Sequence, residues 1–347
     1  MQRVRLWFRV LVTCASALAT FSAVARADAV ADFYKGKTIT LIVSSGSGGG
    51  YDTYSRALAR HITRHIPGEP RIVVQNMPGA GSLTAVNYVY NVAAKDGAVI
   101  GDSDSTMPFY TLFEGQNTKF DPYKLNWIGS IANQISVCFA WHTSSFKTLD
   151  DAMSRPMRVS GTGAQSWRVT LPRLYNDVAG TKFEAIPGYS SSEVFLAVER
   201  GEVEGTCPTY DTLLATKFAW LQEKKIKILA QFGLTSAAGI EDVPLALKRV
   251  KDETDKAAMK LILSQQLTGR PYMAPPGVPD DRIAALRTAF EATMDDPQFR
   301  TDAEKIHLWI SPLAWRDMHT LLDTAYGSPP EVIDRAKALM KRALGGN

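Results

Sequence analysis

The chain has 347 residues, 45% of them hydrophobic and 21% charged, with a formal net charge of +4. Such a balance builds a globular core and excludes a disordered or low-complexity chain. The positive excess belongs to the first 27 residues: without Arg3, Arg5, Arg9 and Arg26 the formal charge is zero, which excludes a general attraction to nucleic acid or acidic lipid.

Residues 1–27 have the ordered parts of a cleaved export signal. Three arginines precede an apolar core from Val10 to Phe21, and Ala25-Arg26-Ala27 supplies small residues at the cleavage position. A membrane span needs ~18 or more apolar residues. Cys14 follows Thr13 rather than a small residue, which argues against a lipid anchor. Cleavage leaves Cys138 and Cys207, each in an apolar, strand-like run. Two buried thiols are the preferred reading, with a disulfide open to them in an oxidising compartment. The remaining length suits two α/β lobes.

Thr38–Val43 is short, apolar and β-branched, a buried strand. It runs into Ser44-Ser45-Gly46-Ser47-Gly48-Gly49-Gly50-Tyr51, and a helix starts near Asp52 with Tyr54, Leu58, Ile62 and Ile66 along one face. Pro67-Gly68-Glu69-Pro70 stops it. Arg71–Gln75 is a second strand, with Ser82 the N-cap of the helix beyond it. A third, Ala98–Gly101, precedes Asp102-Ser103-Asp104-Ser105. Strand, helix, strand, helix, strand predicts a parallel sheet with right-handed crossovers.

The pattern restarts at Ile135–Trp141. Thr148 and Asp151 form a capping box. Arg158–Ser160 leads into Gly161-Thr162-Gly163-Ala164-Gln165-Ser166 and a helix to about Val178, which Pro172 either delays or bends. Lys182–Ile186, Val203–Cys207 and Lys227–Ala230 are further strands, and Ser190 with Glu193 makes a second capping box. From about Lys251 the tail reads as helical, best over Asp280–Met294.

The two strand-to-glycine-to-helix junctions aim backbone N–H groups at one point, where an anion can sit. One helix terminus contributes ~0.3–1 kcal/mol toward an anion, and each hydrogen bond to a charged group adds ~1.5–3 kcal/mol. Asp52 serves equally as helix cap or as a contact through water or to an ammonium. Trp167 serves equally to stack on an aromatic acid or to pack, and Trp141 is better suited to packing or a cleft rim. Arg168 offers a bidentate grip on a distal carboxylate, although a solvated helix face suits it better. Tyr189 and Tyr210 serve equally as hydroxyl donors or as packing residues only.

Enzymatic readings are incomplete. Gly101-Asp102-Ser103 echoes the nucleophile block of secreted Gly-Asp-Ser hydrolases, but Asp317-Met318-His319 is one residue short of the Asp-x-x-His that would supply a base. Tyr51 stands where a dinucleotide fingerprint has its third glycine. His61 and His65 lie four apart without a third zinc ligand.

Taken together, Tyr34-Lys35-Gly36-Lys37, Gly48-Gly49-Gly50-Tyr51-Asp52, Gln75-Asn76-Met77-Pro78-Gly79-Ala80-Gly81-Ser82, Lys95-Asp96-Gly97 and Gly161–Ser166 resemble the solute receptors of tripartite tricarboxylate transporters, the Bug proteins. So do Pro187-Gly188-Tyr189-Ser190, Gly201-Glu202-Val203-Glu204-Gly205, Glu241-Asp242-Val243-Pro244 and Ala274-Pro275-Pro276-Gly277-Val278-Pro279. The order holds from about residue 33 to residue 310. The resemblance implies an α/β fold of the type II periplasmic-binding-protein kind, with two Rossmann-like lobes joined by hinge strands. One lobe would comprise residues 30–130 and 240–347, the other residues 131–239.

It further implies a monomeric, non-enzymatic periplasmic receptor that needs no cofactor or metal. The receptor would capture a di- or tricarboxylate or an aromatic acid and deliver it to integral-membrane transporter subunits. A secreted hydrolase or a carboxylate sensor is the alternative. Carried over by motif, the ligand-binding residues are Ser45, Gly46, Gly49, Tyr51 and Asp52; Ser103, Asp104 and Ser105; Thr162, Gly163, Ala164, Gln165, Ser166 and Trp167; Gly188, Tyr189 and Ser190; and Tyr210 and Asp211. The chain departs from the family pattern at Gln165-Ser166-Trp167-Arg168, at Gly188-Tyr189-Ser190 and at Glu204, which bears on which ligand is taken.

Overall fold

A computed structural model describes residues 29–114 and 119–345; the export-signal reading of residues 1–27 lies outside the described residues. Apolar, β-branched runs form strands β1 (Thr38–Val43), β2 (Arg71–Asn76) and β3 (Val99–Asp102). Between them lie α1 (Gly50–Ile62), which buries Tyr54, Leu58 and Ile62, and α2 (Leu83–Asn91). β1 pairs in parallel with both β2 and β3. The short helix α3 (Tyr110–Glu114) precedes β4 (Asn126–Ser130).

A second sheet begins at β5 (Ser136–Trp141) and takes in β6 (Met157–Ser160), β7 (Phe183–Ile186), β8 (Gly205–Thr206) and β9 (Ile226–Phe232), in the order β7-β6-β8-β5-β9. Its helices are α4 (Leu149–Ser154), α5 (Trp167–Ala179), α6 (Glu193–Glu199) and α7 (Tyr210–Gln222). The Thr148–Asp151 capping box forms with both reciprocal bonds. Pro172 lies inside α5, which begins at Trp167, directly after the glycine loop.

After α8 (Glu253–Ser264) the chain returns to the first sheet. β10 (Pro271–Ala274) inserts antiparallel between β3 and β4, and β11 (Leu313–Ala314) completes the order β11-β4-β10-β3-β1-β2. The tail read as wholly helical therefore contains two strands. Each is too short and too uniformly apolar to show a period. Helices α9 (Asp280–Asp295), α10 (Pro297–Lys305), α11 (Trp315–Tyr326) and α12 (Pro330–Ala343) follow in turn.

Two chain segments cross side by side between the sheets. Gln134 N–H donates to Gln266 O at 2.8 Å, Ile131 N–H to Arg270 O at 3.1 Å and Arg270 N–H to Ala132 O at 3.1 Å. This short antiparallel ribbon has the form of a hinge. Farther out, α12 packs against α8, α3 and α5, so one helix touches both halves.

Cys138 and Cys207 form a disulfide joining β5 to the end of β8, which corrects the preference for free thiols. Antiparallel pairing of the two strands brings these cysteines, 69 residues apart in sequence, side by side. No helix of the described residues is long and apolar enough to cross a membrane.

Candidate ligand-binding cleft

Where the strands of both sheets end, their glycine loops face each other across a cleft of about 490 Å³. The loop after β1 brings Ser45, Gly46, Gly49 and Tyr51, and the loop after β3 brings Asp104. From the second sheet come Thr162, Gly163, Ser166 and Trp167, with Gly188, Tyr189 and Ser190 after β7. These are 12 of the residues expected from sequence to meet a ligand.

The others are placed elsewhere. Asp52 closes its own loop: its carboxylate accepts from Gly48 N–H at 3.0 Å, from Asn76 Nδ2 at 2.9 Å and from Arg56 Nε at 2.9 Å. Ser103 and Ser105 are buried beside the cleft, Ser103 Oγ donating to the Asp104 carbonyl at 3.2 Å. Ala164 and Gln165 are exposed, and Tyr210 packs with the apolar cluster behind α7. Asp211 is turned inward, to an arginine.

That arginine, Arg270, gave no signal in the sequence. It stands at the end of the hinge ribbon, 1% exposed, and reaches across to α7. Its Nε donates to Asp211 Oδ2 at 2.9 Å, and its Nη2 donates to Thr212 Oγ1 at 2.8 Å and to Thr209 Oγ1 at 3.2 Å. The guanidinium lies 4.3 Å from the Tyr51 ring centre and 4.8 Å from that of Tyr54. Burial alone would lower its pKa, but the Asp211 carboxylate and the two tyrosines raise it. Gln134, also on the ribbon, donates from Nε2 to Tyr51 Oη at 3.0 Å. The loop from Pro78 to Ser82 supplies a further wall.

Arg168 lines the cleft as well, rather than a solvated helix face. Its Nη1 is buried without a hydrogen-bond partner, as are Trp167 Nε1 and Ser166 Oγ, and all three belong to the start of α5. Burial, then the nearby Arg270, bring the Arg168 pKa down to about 10. It stays protonated at neutral pH. The α5 terminus adds its partial positive charge, and no side chain caps it.

Glycine lets the two walls meet. A Cβ built on Gly49 would come within 3.1 Å of Ser191 Cβ, and one on Gly81 within 3.0 Å of Gln165 O. Gly50 is tighter still, since a Cβ there would collide with Thr212 and the Arg270 guanidinium. Histidine, the usual general base, does not line the cleft.

Two α/β halves, a two-segment hinge and a polar cleft between glycine loops define a two-lobe binding protein. Residues 55–310 match the model of the tripartite tricarboxylate transporter family receptor, and the chain belongs to that family. Solved structures of similar fold include the periplasmic binding protein BugD, with 17% identity, a TM-score of 0.67, and 89% of this chain and 98% of that one covered. R. palustris Rpa4515 with adipate has 17% identity, a TM-score of 0.68 and coverage of 89% and 97%. MatC (Rpa3494) from Rhodopseudomonas palustris with bound malate has 20% identity, a TM-score of 0.66 and coverage of 88% and 99%. No curated protein matches the chain in sequence.

Proposed function

We propose that this protein is an exported periplasmic receptor that captures a small organic carboxylate between its lobes for tripartite-transporter membrane subunits. In this reading the lobes are residues 30–130 with 240–347, and residues 131–239. The observation that carries the reading is the set of unsatisfied donors at the start of α5: a guanidinium nitrogen, an indole N–H and a hydroxyl, buried together on the cleft wall. Buried donors without acceptors are costly, and a carboxylate removes that cost. Family membership and the adipate- and malate-bound relatives support the same class of ligand.

The receptor works as a monomer and carries out no reaction. The open form binds the anion on one lobe, and closure about the 131–135 and 266–270 ribbon expels water and strengthens each polar contact. The closed shape is what the membrane subunits meet. A Gly-Asp-Ser hydrolase is disfavoured by Ser103, which is fully buried, and by the want of histidine at the cleft.

Trp167 makes binding visible by fluorescence. Across a library of mono-, di-, hydroxy-, amino- and aromatic carboxylates, at least one compound should change the emission and raise the melting temperature. A ligand at 100 times its Kd stabilises by about 2.7 kcal/mol. A flat response across the whole library, with native mass spectrometry finding no retained small acid in purified protein, overturns the reading.

A further inference from the structure

Charges lining the cleft are not evenly matched. Arg270 is neutralised by Asp211, its bonded partner. Among the described residues lining the cleft, Arg168 and Asp104 then have no ion-pair partner. Arg168 projects from the second lobe, and Asp104 from the first. Asp104 N–H donates to Ser82 Oγ at 3.0 Å, and its Oδ1 accepts from Thr106 N–H at 3.0 Å. Behind it Asp102 is 1% exposed; its carboxylate accepts from Ser44 N–H and Ser55 Oγ, and burial raises its pKa.

One wall is therefore cationic, with three buried donors lacking acceptors, and the opposite wall is acidic. A second carboxylate placed against ionised Asp104 meets like charge at short range in a poorly solvated site, which is strongly unfavourable. A hydroxyl or ammonium in the same place donates to Asp104.

Building on the carboxylate-receptor reading, we propose that the cleft is polarised. Arg168, with Trp167 Nε1 and Ser166 Oγ, takes the ligand's carboxylate on the second lobe, and Asp104 takes an O–H or N–H donor on the first. The ligand class is a hydroxy- or amino-carboxylic acid, and diacids are selected against. The guanidinium grips the carboxylate through two parallel hydrogen bonds, which a lysine cannot reproduce. Asp104 sets specificity by charge, since backbone amides alone accept any anion.

The test uses length-matched probes of four to six carbons, comparing each diacid with the ω-hydroxy acid, the ω-amino acid and the unsubstituted monoacid of the same chain. Titration calorimetry on the full mature protein should show the hydroxy or amino acid binding at least tenfold tighter than the diacid. Arg168→Met should weaken every probe at least thirtyfold, and Arg168→Lys should recover part of that. Asp104→Asn should tighten the diacid at least tenfold, a gain that misfolding cannot produce. The hydroxy and amino arms distinguish the two donors, because Asp104→Asn weakens the amino acid much more than the hydroxy acid.

Diacids that match their hydroxy and amino counterparts in the wild type, or an Asp104→Asn variant with unchanged preference, overturn the polarised cleft and leave the receptor reading standing. Binding that survives Arg168→Met overturns the role of Arg168. If no probe binds, and the broader library is also silent, the receptor reading falls as well.

Discussion

Asp102 shows how far a single residue can run against the stability of its own fold. Its carboxylate is bonded to Ser44 N–H and Ser55 Oγ, both at 2.7 Å, and burial raises its pKa despite those bonds. A raised folded-state pKa means stability is intact below the unfolded value and lost as pH rises through the folded one. Asp102→Asn keeps an acceptor for Ser44 and gives Ser55 a donor. It should raise Tm by about 2–4 °C at pH 8, with the gain shrinking toward zero near pH 4. Scanning calorimetry of both proteins across that range checks it, and a gain that grows on acidification refutes the sign. The glycine loops around this residue were legible because strand, glycine and helix are adjacent in sequence. Arg270 was not: its role depends on Asp211, 59 positions away, and on a hinge that local pattern cannot show. Arg168 was visible as a charge, but its exposure was not, because only the fold decides which face of α5 meets the opposite lobe.

At the scale of elements, the second sheet is stapled where it is thinnest. β8 has two residues, Gly205 and Thr206, and joins the parallel pair β6–β7 to the antiparallel pair β5–β9. Gly205 is required there, since a Cβ would collide with the Phe139 carbonyl. The Cys138–Cys207 bond fastens this strand to β5. Constraining a loop of that length in the unfolded chain stabilises by about 2–4 kcal/mol. Cys138→Ala with Cys207→Ala should lose that amount in urea melts, and reducing agent should lower the wild type to the level of the variant. Equal stability with and without reductant would refute the staple. Parallel strands with helical crossovers were readable from composition, as hydrophobic runs broken by turns. β10 and β11 were not, because a strand of four residues or two carries no period, and their place depends on pairing with β4, more than 100 residues earlier in the chain.

For the molecule as a whole, the proposed function makes recognition and closure the same event. The lobes meet at glycines, with Gly46 and Gly49 against Ser191 and Gly81 against Gln165. A side chain at these positions acts as a wedge between bodies without disturbing either core. Gly49 is the clean place to insert one, because its backbone lies at φ −83° and ψ 172°, open to any residue. Gly81, at φ +60°, would confuse a wedge with backbone strain. Gly49→Leu should therefore leave the melting temperature without ligand within about 2 °C of wild type. Its affinity for carboxylate should fall at least tenfold, through faster dissociation from a cleft that cannot shut. Small-angle scattering separates this from local damage at the binding loops. The wild type should contract on adding ligand, while the variant, saturated with the same ligand, should stay as wide as the empty protein. A variant that contracts fully at saturation would show that the lobes do not need those glycines to meet, and that the α5 donors hold the anion without help from the facing wall.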